Sequence, residues 1–189
     1  MVEPEQHALE RACRLLTHQM IGGGVRQLIA LVEFGAVTMT FNALSDRRLI
    51  YSRDFAFGGL QLTEEIMERY GVDAREAERI KHSGDLPERS AKGLFDAFRE
   101  DMAQQVSRAL QFFLASHGSG GQPVQVLVCG GCAKLSGVAD AVTARVDIPT
   151  QVADPLGHVG VSEKAEAQGI RSADTRLMTA CGLAMRGFD

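Results

Sequence analysis

The sequence predicts an α/β fold: one β-sheet flanked by helices, with an all-helical stretch set into it. Three observations predict it. Residues 28–44, LIALVEFGAVTMTFNAL, read as a buried strand, a sharp turn at Gly35 and a second strand. In that second strand Val37, Met39 and Phe41 alternate with Thr38, Thr40 and Asn42, the period of a half-buried strand. Residues 124–128, VQVLV, are short, β-branched and unbroken, which suits a central strand covered on both faces. Residues 90–117 instead repeat Leu94, Phe98, Met102, Val106, Leu110 and Phe113 at helical spacing, a long amphipathic helix.

The remaining elements fall into place around these. Ala8, Leu9, Ala12, Leu15, Leu16 and Met20 predict a helix over 3–20, with Pro4 in the first turn where its missing N–H does no harm, and the run Gly22-Gly23-Gly24 ends it. Residues 48–57 are a third strand, turned in by Ser45-Asp46, so the first three strands form an antiparallel meander. Gly58-Gly59 opens a helix that stops at Gly71. Asp73 and Glu76 have the spacing of a capping box for a further helix closed by Gly84. Gly118-Ser119-Gly120-Gly121 is a loop returning the chain to the sheet. After 124–128 come a turn at Cys129-Gly130-Gly131-Cys132, a helix around 138–146 and a short strand at 150–153. Residues 155–172 read as polar and irregular, and 176–185 as a last helix before Gly187. The organisation expected is a sheet-bearing part, 1–71 with 119–189, and a helical part, 72–118.

Composition narrows the function. The 189 residues are 45% hydrophobic and 23% charged, ordinary for a globular domain. A net charge of −4 excludes a polybasic nucleic-acid or membrane surface. No apolar run approaches the roughly 20 residues of a membrane-spanning helix, and the acidic start MVEPEQHALER lacks the apolar core of a signal peptide. Cys13, Cys129, Cys132 and Cys181 are too few and scattered for a disulfide framework, so the cytoplasm is the expected compartment.

Several motifs bear on chemistry. Glu33, Gly35 and Thr38 bring a carboxylate, a glycine that admits backbone N–H groups and a hydroxyl to one turn, the makings of a clamp for metal-bound phosphate. The same residues also describe an ordinary hairpin with a solvated glutamate. Cys129 and Cys132 flank a strand-to-helix junction, where a helix N-terminus activates the first thiol of thiol–disulfide oxidoreductases. Alternatively Gly130 and Gly131 matter, letting backbone approach a flat or anionic ligand. Glu78 and Lys81 share a helix face and read as a solvated ion pair. Neither a Walker loop nor a G-x-G-x-x-G following a strand is present, and Cys181 and the scattered histidines offer Cys129 and Cys132 no second ligand pair at zinc spacing.

Taken in order, the stretches EFGAVT, YSRDFAFGGLQLTEEI, AERIK, CGGCAKLSG and ACGLAMR resemble the C-terminal half of the PilM family, actin-like proteins of type IV pilus assembly related to FtsA. The resemblance runs over essentially the whole chain. It implies an actin-like, ribonuclease H-like mixed sheet with an inserted helical subdomain, one lobe of a two-lobed ATPase fold. It also implies that Glu33, Gly35 and Thr38 form the second phosphate loop, with Glu33 facing Mg²⁺. By the same resemblance Gly58 and Gly59 turn near the phosphates, Glu78 and Lys81 border ribose and adenine, and Gly130, Gly131 and Cys132 belong to the adenosine loop. The family usually has Asp where this chain has Glu33; the extra methylene moves the carboxylate by up to about 1.5 Å.

The resemblance further implies that the first phosphate loop, and the lobe holding the groove for the cytoplasmic tail of PilN, lie outside this sequence. A fragment is therefore expected, contributing half of an ATP cleft with little hydrolysis of its own and able to pair as a homodimer. Its place would be the cytoplasmic platform under the bacterial inner membrane that serves pilus biogenesis and twitching motility.

Overall fold

The first half of the hairpin, β1 (Leu28–Phe34), lies at the centre of the sheet. The computed structural model describes residues 5–84, 92–117, 121–170 and 175–188. In it β1 pairs antiparallel with β2 (Met39–Ser45) and parallel with β4 (Gln125–Gly130). β3 (Arg48–Phe55) joins β2 antiparallel and β5 (Thr150–Val152) joins β4 parallel, giving the order β3-β2-β1-β4-β5. The predicted meander and central strand are both present.

Alternation along β1 sends its side chains to two different cores. Ala30, Val32 and Phe34 enter the larger one, with Met102, Val106 and Phe113 of α4 (Lys92–Ser116). The same core takes Ile66 of α2 (Gly59–Tyr70), Ile80 of α3 (Ala74–Ser83) and Val142 of α5 (Val138–Val146). Ile29 and Leu31 enter the smaller core, with Leu9 of α1 (Glu5–Ala12), Leu16 and the first residue of α7 (Met178–Met185). Both sheet faces are covered, so every residue of β4 is buried and the strand reads as a continuous run. Gly71 and Gly84 close α2 and α3 in the left-handed region, at φ +63° and +70°. Asp73 caps α3 by accepting from the Glu76 N–H at 2.8 Å, but Glu76 itself reaches Arg79 rather than completing the box.

The structure departs from the expectations in informative places. The helix over 3–20 ends at Ala12 and tightens into a 3₁₀ turn, Cys13–Leu16. Two glutamines account for the change of course. Gln19 donates to the Val152 carbonyl and accepts from the Asp154 N–H, while buried Gln125 accepts from the Ile21 N–H and donates to the Gln19 carbonyl. These bonds tie the segment after α1 to the sheet, and a straight helix would carry Gln19 past its partners. Val37 is 63% exposed at the turn, whereas Asn42 is 1% exposed because the first turn of α1 lies over its face of β2. Residues 155–172 contain a short helix, α6 (Glu163–Ala167), capped by Ser162; residues 171–172 fall outside the described set, as do 90–91 of the long helix and 118–120 of the glycine loop. Among the described residues no helix is long and apolar enough to cross a membrane.

The helices α1 and α7 touch backbone to backbone. A Cβ at Gly182 would sit 1.7 Å from the Ala8 carbonyl oxygen, and Arg11 donates to the Gly182 carbonyl at 2.9 Å. Gly182→Ala must push the two helices apart. We expect a loss of about 1–3 kcal/mol, read as a lower urea midpoint with an unchanged denaturant slope.

Candidate functional site

β1 and β4 run parallel and end side by side, Phe34 opposite Gly130. The carboxyl ends of parallel strands are where open α/β sheets gather ligands. Here a cavity of about 300 Å³ opens, lined by Glu33 to Ala36 of the hairpin, by Gly59, by Glu78, Lys81 and His82 of α3, by Gly130 to Cys132, and by Arg176.

Close approach explains the glycines. A Cβ on Gly130 would lie 2.2 Å from the Phe34 carbonyl oxygen, and its φ of +91° already excludes most side chains. A Cβ on Gly59 would lie 2.5 Å from the Cys132 sulfur, so the thiol packs directly on the α2 backbone and a larger residue at 59 would have to displace it. Gly131 is different: its nearest neighbour would be the Arg176 side chain at 3.8 Å, leaving its backbone open towards the cavity. The first N–H groups of α2 are not open. Gly59 N donates to the Gly35 carbonyl at 2.9 Å and Leu60 N to the Ala36 carbonyl at 2.8 Å, while Gly35 N closes its own turn on Thr38. The hairpin is thus clamped to α2 through the donors that a helix N-terminus would otherwise offer an anion.

One polar network stands on the opposite wall. Lys81 is buried, 8% exposed, and its Nζ donates to Glu78 Oε1 at 2.6 Å, to Thr63 Oγ1 at 2.8 Å and to the Gly59 carbonyl at 3.2 Å. All three ammonium protons are engaged. The Thr63 hydroxyl lies 2.5 Å from the same Glu78 oxygen. The expected solvated ion pair is therefore a buried cation that fixes a half-exposed carboxylate. Burial opposes the ionisation of Glu78, but the hydrogen bonds from Lys81 and Thr63 and the nearby Lys81 charge outweigh it and hold the carboxyl below its usual range. Its other oxygen, Oε2, lies 3.7 Å from His82. Glu33 shifts the other way: burial, aided by the charge of Glu5, pushes its carboxyl up.

The cysteines do not support redox chemistry. Cys129 belongs to the smaller core and Cys132 to the larger one, on opposite faces of the sheet. Both are free thiols, and burial pushes both upward, away from the thiolate a reactive cysteine requires. Among the described residues no group of three His, Cys, Asp or Glu side chains is arranged to hold a metal by itself.

Of the residues singled out in the sequence, Glu33, Gly35, Gly59, Glu78, Lys81, Gly130, Gly131 and Cys132 meet around this cavity. Gly58 sits just behind it, against the Ala36 carbonyl. Thr38 does not face it; with Glu33 it borders a second hollow on the α1 side of the sheet. Arg176 and His82 line the cavity without having been anticipated. His82 lies four residues beyond Glu78, on the same face of α3, and could have been found from the helix register, but Arg176 arrives from a turn ahead of α7 that carries no motif.

A family model described as Type IV pilus assembly protein PilM matches residues 1–188. Among solved structures, the chain superposes on the PilM-PilN type IV pilus biogenesis complex with a TM-score of 0.76 at 21% identity, over 100% of this chain and 52% of that one. Ethanolamine utilization protein EutJ from Carboxydothermus hydrogenoformans gives 0.61 at 21% identity, over 95% and 52%. MreB 5 of Spiroplasma citri, solved bound to AMPPNP, gives 0.59 at 14% identity, over 93% and 57%. The chain therefore spans about half the length of the solved structures it matches. With its mixed sheet and the match over nearly its full length, the chain belongs to the PilM family of type IV pilus assembly proteins and has an actin-like fold.

Proposed function

We propose that this chain is the second lobe of a PilM-type nucleotide-binding scaffold and supplies one wall of an ATP cleft. The observation that carries the reading is the meeting of the Glu33–Ala36 hairpin, the Gly130-Gly131 turn and the Glu78–Lys81 pair around one cavity. Within the lobe, 1–71 with 119–189 form the sheet-bearing subdomain and 72–118 the helical one, joined along the larger core. The cavity of about 300 Å³ is at the small end for a ligand pocket, as suits a single wall.

The residues fit the nucleoside well. Gly131 offers an open backbone surface for a flat base, and Glu78, held by Lys81 and Thr63, presents Oε2 as an acceptor for sugar hydroxyls. Lys81 positions Glu78 and has no proton left for a phosphate. They fit the metal more narrowly. Mg²⁺ is commonly held by one or two carboxylates together with substrate phosphates and water, so Glu33 suits an ion that arrives with a nucleotide. When bound, the ion would neutralise phosphate charge; Glu33 would face it, with Gly35, Thr38, Gly58 and Gly59 holding the loop in shape. Phosphate clamped from one side only is poorly set for transfer, so steady ATP hydrolysis by this chain alone should be negligible. The partner side of the reading is assembly: in the whole protein, the PilN cytoplasmic tail and the platform at the cytoplasmic face of the inner membrane.

Thermal unfolding of the chain with ATP and Mg²⁺ tests the site. Free ligand at a hundred times its dissociation constant adds about 2.7 kcal/mol, and an unchanged midpoint at millimolar MgATP contradicts the reading. Lys81→Met leaves Glu78 and Thr63 without their buried donor; about 1–3 kcal/mol of stability should go, together with the nucleotide-dependent shift. Glu33 gives a test of opposite sign. A carboxyl whose pKa is raised by folding weakens the fold as pH climbs through that raised value. Glu33→Gln should therefore raise the ligand-free midpoint at neutral pH, with the gain vanishing below the ordinary value of 4.5, and should remove the Mg²⁺-dependent part of the shift.

A further inference from the structure

A hollow of about 520 Å³, larger than the glycine-lined cavity, lies beside it on the α1 side of the sheet. Its floor is the outer face of β2 and β3, where Thr40, Asn42, Ser52 and Asp54 point together, and the first turn of α1 forms one side. Glu33 stands on the rim between the two cavities.

Three carboxylates, Glu5, Glu33 and Asp54, border this hollow, and among the described residues none has an ion-pair partner. Their contacts are neutral: Thr179 donates to Glu5 at 3.1 Å and Thr40 to Asp54 at 2.8 Å. Arg53 also borders the hollow, but its guanidinium lies over the Phe112 ring at 4.2 Å, on the α4 side of the sheet. A second observation is independent of charge. Asn42 is 1% exposed; its Oδ1 accepts from Ser52 at 2.8 Å, and its Nδ2 has no partner. A buried amide left half satisfied costs about 1–3 kcal/mol, which an incoming acceptor would relieve.

We propose that this hollow takes an arginine side chain presented by a peptide, with the guanidinium among Glu5, Glu33 and Asp54 and a peptide carbonyl accepting from Asn42 Nδ2. Arginine suits the site better than lysine, since its planar fork addresses more than one carboxylate at once. A peptide suits it better than the free amino acid, whose own carboxylate the three acids would repel. Nothing in this assignment depends on a nucleotide.

The test uses the full chain, ¹⁵N-labelled, without nucleotide or Mg²⁺, so that its outcome is separate from that of the ATP reading. N-acetyl-arginine N-methylamide is titrated to about 10 mM, a range that detects millimolar sites. The Asn42 side-chain amide and the backbone amides of Thr40 and Ser52 should shift saturably, the neutral citrulline analogue should leave them in place, and free arginine should bind more weakly than the blocked amide. Asp54→Asn should weaken binding about threefold to fivefold, in line with one exposed ion pair. Equal shifts from arginine and citrulline analogues overturn the assignment of a cation. No saturable shift at all overturns the site and leaves Asn42 to be met by water.

Discussion

The whole arrangement depends on how closely two parallel strands end together. At the last pair of the β1–β4 ladder, Phe34 and Gly130 approach so tightly that a single methyl on the glycine would meet the Phe34 carbonyl at 2.2 Å. The same glycine turns the chain out of β4 with a φ of +91°, and Gly131 beyond it has only the Arg176 side chain near its backbone. The hairpin is held in turn, since two of its carbonyls accept the first N–H groups of α2. Three chain segments far apart in sequence meet at one place for these backbone reasons, before any side-chain chemistry is considered.

The side chains then divide the labour. Lys81 is spent entirely on structure, bonding α3 to the start of α2 and fixing Glu78, so the residue that looks most suited to phosphate works through its neighbour. Glu33 is the opposite case. It pairs in the ladder with Thr40 and Cys129, buried enough for its charge to be penalised, and no cation among the described residues offsets that penalty. A carboxylate kept at a strand end under such a cost is better suited to meeting a cation from outside than to holding the fold together.

Much of the fold was legible because the decisive signals are local. Period-two alternation located β2, a continuous apolar run located β4, and glycines at Gly71 and Gly84 marked helix ends that are left-handed in the structure. What stayed hidden is set by distant partners. Nothing near Gln19 announces that it will bond to β5 and end the helical course after α1, and the burial of Asn42 depends on where α1 crosses. The glycines of the site could be read because backbone contact leaves a mark on composition. Arg176 could not, since an exposed arginine in a turn looks the same whether or not a cavity lies beside it. The pairing of Cys129 with Cys132 misled for a related reason: their spacing in sequence is that of a redox pair, but the sheet passes between the two sulfurs.

The central claim is that the hairpin, α3 and the Gly130-Gly131 turn form one wall of a single nucleotide pocket. Photolabelling with 8-azido-ATP, followed by peptide mapping, measures that directly. The account predicts that adducts fall on peptides containing Glu78 to His82, Gly130 to Cys132 or Arg176, and that excess ATP suppresses them. Labelling spread over other surfaces, or unaffected by ATP, would contradict it.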